Sequence, residues 1–373
     1  MYSRRFTGAL SASVAITLCA TAAAAEKYPP LATLPPPPIP ADNPMSPEIV
    51  ELGKKLFWDG RLSGNGEFGC VVCHQPDIGW GTGGPISFGY PGTQHWRNSQ
   101  TVLNSAYYNK LFWEGNVTSL EAQAPAAAGG AVAGNGDGSM MEMKLRFVPE
   151  YVAEFKKIFG TEWPHMAQAW QAIAAFQRTI VTDAKKVPFD RYLAGDKKAL
   201  SEPAQRGMKL YNGKAACIAC HNGALASDQR YYATGVPAAK EFQEDPLHQI
   251  TLRWELYQKG MSEDTYRSGA DDLGLYHKTK RPEDKGKFRT PSLRELKWTA
   301  PFMHNGALAS LADVVAFYDK GGGEGNKVLK PLKLSEQERA DLVAFLESLS
   351  MDEPLLMKEP KLPETRTWAE FPK

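Results

Sequence analysis

Two stretches of this sequence have residue types and spacing that could do chemistry together: Cys70-Val71-Val72-Cys73-His74 and Cys217-Ile218-Ala219-Cys220-His221. In each, two thiols three positions apart can form thioethers to one porphyrin edge, and the histidine that follows places an imidazole over the iron. C-x-x-C-H is the attachment pattern of a c-type haem. A lone C-x-x-C would fit half a zinc site or a redox dithiol equally well. Of the five cysteines, Cys19 lies near the N-terminus, and the other four all sit in the two motifs. The pattern therefore predicts two covalently held haems c, attached through Cys70, Cys73, Cys217 and Cys220 with His74 and His221 on the irons, and no structural disulfide.

Residues 1–25 carry Arg4 and Arg5, an apolar run from Ala9 to Leu18, and Ala22 to Ala25 as a small-residue cleavage site. That order reads as a removable secretory signal. The run is too short to span a bilayer, and no later stretch approaches the roughly 20 apolar residues a spanning helix needs. A soluble periplasmic protein is expected, since haem is attached to exported chains there. A net charge of +1 gives no reason to invoke nucleic acid or an anionic membrane.

The elements that must position the motifs repeat. Ser46 followed by Pro47 predicts a helix start, with Ile49, Leu52 and Leu56 on one face, running into the first motif. Ser201 before Pro203 opens the second copy, where Gly207-Met208-Lys209-Leu210-Tyr211 echoes Gly53-Lys54-Lys55-Leu56-Phe57. Helical spacing also marks 148–159, 166–181, 310–319 and, behind a Ser335/Glu338 capping box, a last helix through Leu342 and Leu349. The fold class expected is mainly α with little β structure, two cytochrome c-like haem domains in tandem. The organisation is a signal at 1–25, a proline-rich arm at 26–45 that tethers leader to fold, an N-terminal haem domain at 46–190, a C-terminal one at 191–350 and a tail at 351–373. Residues 129–138 read as a flexible glycine-rich loop.

Whether such a protein carries electrons or reacts with peroxide depends on the sixth position of each iron. Candidates are Met303, Tyr318, His304 and His277 for the second haem, and His95 or Tyr90 for the first. By spacing alone Tyr318 sits on the apolar stripe of its helix and fits a core position.

Gly53 to Ser63, Arg97-Asn98-Ser99, Phe112-Trp113-Glu114-Gly115, Arg289 to Arg294 and Thr299 to Gly306 resemble, in order, the landmarks of the bacterial dihaem cytochrome c peroxidase and MauG family. The resemblance runs from about Ser46 to Leu349. It implies that His74 serves a peroxide-reactive haem and His221 an electron-transfer haem. It also implies a calcium ion held by Asn98 and the carbonyls of Thr299 and Pro301, with Trp113 relaying charge between the haems. Gln123 and Glu142 match the family's distal pair, though the glycine-rich loop is inserted between them.

Two departures select a branch. The peroxidases carry a capping histidine where Tyr90 stands here, with His95 five residues late, so the first haem is expected open or weakly capped. Their methionine ligand to the second iron falls at Tyr318, as in MauG-like enzymes, with Met303 as competitor; a phenolate lowers the potential that a thioether would raise. The resemblance thus implies a periplasmic MauG-like oxidase, of MauG or MbnH type, that uses hydrogen peroxide to oxidise tryptophan in a partner protein to a quinone or to kynurenine. MauG carries a tryptophan two residues before its second haem motif; Ala215 takes that place here, which favours the MbnH type. The alternatives are a cytochrome c peroxidase fed by a small c-type cytochrome, and a non-enzymatic dihaem electron carrier.

Overall fold

The computed structural model describes residues 27–366. The secretory signal expected at 1–25 lies outside the described residues. Within them, no helix is long and apolar enough to cross a membrane.

The longer helices are α1 Pro47–Trp58, α2 Leu120–Ala128, α3 Gly138–Arg146, α4 Pro149–Phe159, α5 Met166–Gln177, α6 Glu202–Asn212, α7 Pro246–Gln258, α8 Leu311–Asp319 and α9 Glu336–Glu347. One antiparallel pair, Tyr231–Tyr232 with Phe288–Arg289, forms the only sheet among the described residues, as a mainly helical fold requires. Helix starts follow the sequence signals: Ser46 accepts from the Ile49 amide with Pro47 in the first turn, and Ser201 accepts from the Ala204 amide. The boxes at Ser310/Asp313 and Ser335/Glu338 are both closed. α5 stops at Gln177, short of Val181, and the amide of Asn104 takes the Ile180 carbonyl outside the helix.

The internal repeat is a repeat of helix crossings. α1 packs on α5 at Gly53, where an added Cβ would lie 1.9 Å from the Ala172 carbonyl oxygen and 2.9 Å from the Phe176 Cβ. α6 packs on α9 at Gly207, where the corresponding distances are 2.0 Å to the Asp341 oxygen and 2.8 Å to the Phe345 Cβ. Each crossing seats its own apolar core: one around Leu52, Leu56, Phe57, Trp80 and Phe176, the other around Tyr211, Leu342 and Phe345. A third cluster joins Phe242, Leu252, Leu256 and Met261, contributed by 239–261 of the second half, to Trp96 and Val132 of the first.

The terminal segments differ from expectation. The proline-rich arm is more than a tether, because Tyr28 and Leu31 pack on the second core and the Ala32 carbonyl accepts from Arg294 at 2.6 Å. The tail crosses the other way, with Leu355, Met357 and Leu362 against the first core and the Leu355 carbonyl accepting from Trp80 Nε1 at 2.7 Å. The glycine-rich loop, read as flexible, is folded back on α2. Gly134 and Gly136 donate to the Ala127 and Ala128 carbonyls at 3.1 and 2.8 Å, and Val132 is buried.

Candidate active site

Each C-x-x-C-H follows its repeat helix as a tight 3-10 turn, Cys70–Val72 and Cys217–Ala219. The turn returns the histidine amide to the first cysteine, with His74 donating to Cys70 at 3.1 Å and His221 to Cys217 at 2.9 Å. Nδ1 of His74 donates to the Trp80 carbonyl at 3.2 Å, and Nδ1 of His221 to that of Ala226 at 3.2 Å. This fixes both tautomers with Nε2 left for a metal, the outer-shell arrangement typical of ligating imidazoles. Burial lowers both imidazoles, His74 to about 4, so each is neutral at pH 7, as a ligand must be.

Both motifs open into one continuous cavity of about 830 Å³, lined by Cys73 and His74 from the first half and by Cys217, Cys220 and His221 from the second. Cys70 is not in that lining and packs against the first core one turn earlier. Two planar macrocycles anchored on these turns would share the cavity, and its predominantly apolar wall suits them. Trp113 lines the cavity, is buried, and donates Nε1 to the Asn98 carbonyl at 3.1 Å, while its ring meets His304 edge-on with centroids 6.3 Å apart. Tyr318 and Met303 both line it. Burial, then the thiols of Cys217 and Cys220, push the Tyr318 phenol upward, so its ionisation requires the charge of a metal cation.

Asn98, Thr299 and Pro301, expected to hold calcium, also line this cavity. The Asn98 amide nitrogen donates to the Gly84 and Pro85 carbonyls at 3.0 and 3.1 Å, which turns its oxygen away from them. An amide oxygen and backbone carbonyls are the donors a hard cation takes, so the residues fit a calcium ion.

Of the expected distal pair, Gln123 lines the cavity and Glu142 does not. The Glu142 carboxylate is bound by Arg146 one helical turn on and accepts from the Met166 amide at 3.2 Å, at the N-terminus of α5. The inserted loop begins α3 at Gly138, and in that register Glu142 faces α5, while Ala131, Val132 and Ala133 of the loop line the cavity. Two candidate ligands also fall away: Tyr90 is outside the cavity lining, and His277 Nε2 lies 3.1 Å from Asp272 Oδ1.

What sequence reasoning missed is a buried charge cluster on the cavity wall. Arg97 binds Asp272 through two bonds of 2.5 and 2.8 Å and Glu114 through Nη1, and Glu114 also meets Lys259 at 3.3 Å. Burial pushes the Glu114 carboxyl up, but Arg97 and then Lys259 overcome it and hold it near 2. Asp272 lies 175 residues from Arg97, so no local spacing could have announced the pair.

A mainly helical protein with two histidine-terminated thiol turns facing one cavity is a dihaem c-type cytochrome. Residues 47–198 match the family model described as di-haem cytochrome c peroxidase. The chain is 64% identical to cytochrome-c peroxidase IdrP1 of Pseudomonas sp. strain SCT, over 95% of this chain and 94% of that protein. It is 36% identical to the methylamine utilization protein MauG of Methylorubrum extorquens AM1, covering 87% and 84%. The crystal structure of a MauG-like protein associated with microbial copper homeostasis superimposes with a TM-score of 0.70 at 31% identity, covering 87% of this chain and 94% of that one. This chain belongs to the dihaem cytochrome c peroxidase/MauG family and is a peroxide-dependent dihaem oxidoreductase carrying two haems c.

Proposed function

We propose that this protein reduces hydrogen peroxide at an open first haem site and takes the electrons from a small c-type cytochrome in the periplasm through the second. The open first site is carried by its shape: Tyr90, which stands where a capping histidine is expected, is outside the cavity, while Gln123 is inside it. The full-length likeness to relatives named cytochrome-c peroxidases supports the same reading.

The two haems supply the redox chemistry. His74 and His221 would hold them through Nε2, since their Nδ1 hydrogens are fixed on carbonyls. Trp113, packed between the two halves of the cavity and anchored on Asn98, is the relay between the two sites. Gln123 offers an amide to peroxide. A calcium ion held by Asn98, Thr299 and Pro301 would tie the loop that carries Trp113's acceptor to the second half.

Tyr318 favours a second reading, in which the oxidising equivalents reach tryptophan in a partner protein. A phenolate on the second iron makes a poor acceptor of cytochrome electrons and a good store of oxidising power. Two measurements on the holoenzyme test the open site and then separate the readings. Resting electron paramagnetic resonance should show one high-spin and one low-spin ferric haem; two low-spin haems would refute the open site. Steady-state oxidation of ferrocytochrome c by peroxide should proceed without prior reduction of the enzyme. If it does not, and mass spectrometry of co-incubated exported proteins shows tryptophan gaining oxygen or losing hydrogen, the second reading replaces the first.

A further inference from the structure

With Glu142 turned away, the first site lacks its expected carboxylate, yet another polar side chain faces the cavity. His95 lines it and is stacked on Trp96, with ring centroids 4.5 Å apart and planes 18° from parallel. Its Nδ1 accepts two backbone hydrogens, from Trp96 at 3.0 Å and from Arg97 at 2.9 Å. A ring nitrogen that accepts two N–H groups carries no hydrogen, so the neutral imidazole bears its hydrogen on Nε2. Nε2 makes no hydrogen bond to the described residues, and the side chain is part-exposed where it lines the cavity. The loop that carries His95 lies against the first haem motif: the Phe88 carbonyl is 4.0 Å from Cys73 Sγ, and the amide of Tyr90 donates at 2.9 Å to the carbonyl of Val132, which lines the cavity.

We infer that His95 is the distal hydrogen-bond donor of the first site, presenting a fixed Nε2–H to peroxide and not a lone pair to iron. The same two backbone donors that fix the tautomer disqualify it as a sixth ligand, because ligation through Nε2 needs that hydrogen removed or moved to the occupied Nδ1. Burial, and then Arg97, lowers the imidazole to about 4, consistent with a neutral donor at pH 7. Its role is electrostatic: as the O–O bond of peroxide breaks, the donor stabilises charge developing on the departing oxygen. Overall, peroxide takes two electrons and two protons to give two waters. The electrons come from the enzyme's donor and the protons from solvent, and His95 ends with the hydrogen it began with.

The inference rests on the open first site, and the test keeps the two apart. His95→Asn retains an acceptor for the Trp96 and Arg97 amides but, being shorter, withdraws its own N–H donor from where Nε2 stands; His95→Ala removes acceptor and donor alike. In the reduced holoenzyme under carbon monoxide, the infrared C–O stretch should move to higher frequency in both variants, and the bimolecular rate with peroxide should fall about 100-fold. The resting spin states should be unchanged. An unmoved stretch in the folded, fully haem-loaded Ala variant overturns the inference. So does conversion of a low-spin haem to high-spin in either variant, which would make His95 a ligand. Failure of the wild-type protein to bind carbon monoxide refutes the open site itself, and with it this role for His95.

Discussion

Glu114→Gln tests the buried charge cluster quantitatively. Glu114 and Arg97 are 2% and 7% exposed at the side chain and Asp272 is 9% exposed, so their charges sit largely out of water, while Lys259 reaches in from the rim. Two cations meet two carboxylates, and the substitution leaves one positive charge uncompensated on the cavity wall. A carboxyl held at about 2 in the fold against an ordinary 4.5 contributes roughly 3 kcal/mol at neutral pH. Each kcal/mol moves the midpoint of a domain of 150–250 residues by about 2–4 °C, so the substitution should lower the first thermal transition by about 6–12 °C at pH 7. The sign with pH follows from the lowered value. The stabilisation is complete above 4.5, where the unfolded carboxyl is also ionised, and is lost as pH falls towards 2. The gap between wild type and variant should therefore close across that window. Circular dichroism melts of both holoproteins from pH 7 to pH 2 measure it. Equal midpoints at pH 7, or a gap that persists unchanged at pH 2, would refute the assignment of stability to this carboxylate.

Other perturbations follow from the same geometry. Gly53→Ala and Gly207→Ala each drive a Cβ to 2 Å or less from a carbonyl oxygen of the crossing helix; each should cost about 1–3 kcal/mol or more in urea unfolding, the first chiefly in the half bearing His74 and the second in the half bearing His221. Asp190→Asn breaks the two-bond pair with Arg294, whose partners are each 2% exposed, and should cost about 3–5 kcal/mol. Trp113→Phe removes the donor to the Asn98 carbonyl and should slow electron exchange between the haems, read by stopped-flow absorbance, while leaving haem content intact.

The parts of the site carried by local spacing were legible: the thiol turns, the capped helices that deliver them, and the place of Tyr318 on α8. Parts that depend on register across an insertion were not. Glu142 keeps its sequence context beside Met141 and Met143, but a loop folded by its own hydrogen bonds resets where α3 begins and turns the carboxylate onto α5. The third core was hidden for a different reason. Trp96 and Val132 carry no signal that they will be covered by Phe242, Leu252 and Leu256 from far along the chain. His95 shows both limits at once, since its type and neighbourhood suggested a ligand, and only the two backbone donors on Nδ1 reveal which nitrogen is protonated.

The crossed terminal segments bear directly on the first haem. Trp80 is fully buried and its carbonyl orients His74, while its indole nitrogen donates to Leu355 from the tail. Arg61 takes the Pro363 carbonyl at 2.9 Å and the Arg366 amide donates to Phe147 at 3.0 Å, extending the same strap over the first half. Removing the chain after Asp352 spares Met351, which belongs to the second core, but strips Trp80 of its acceptor. A buried indole left without a partner costs about 1–3 kcal/mol, and uncovering Leu355, Met357 and Leu362 adds to it. The truncated holoprotein should lose stability chiefly in the first half, since of the three only Leu355 also touches the second core. Its high-spin signal should broaden as His74 loses a fixed orientation, while the low-spin signal of the second haem stays put. If both haem signals and the urea midpoint of the first half were those of the full chain, the tail would be a passive appendage and Trp80 would hold His74 without it.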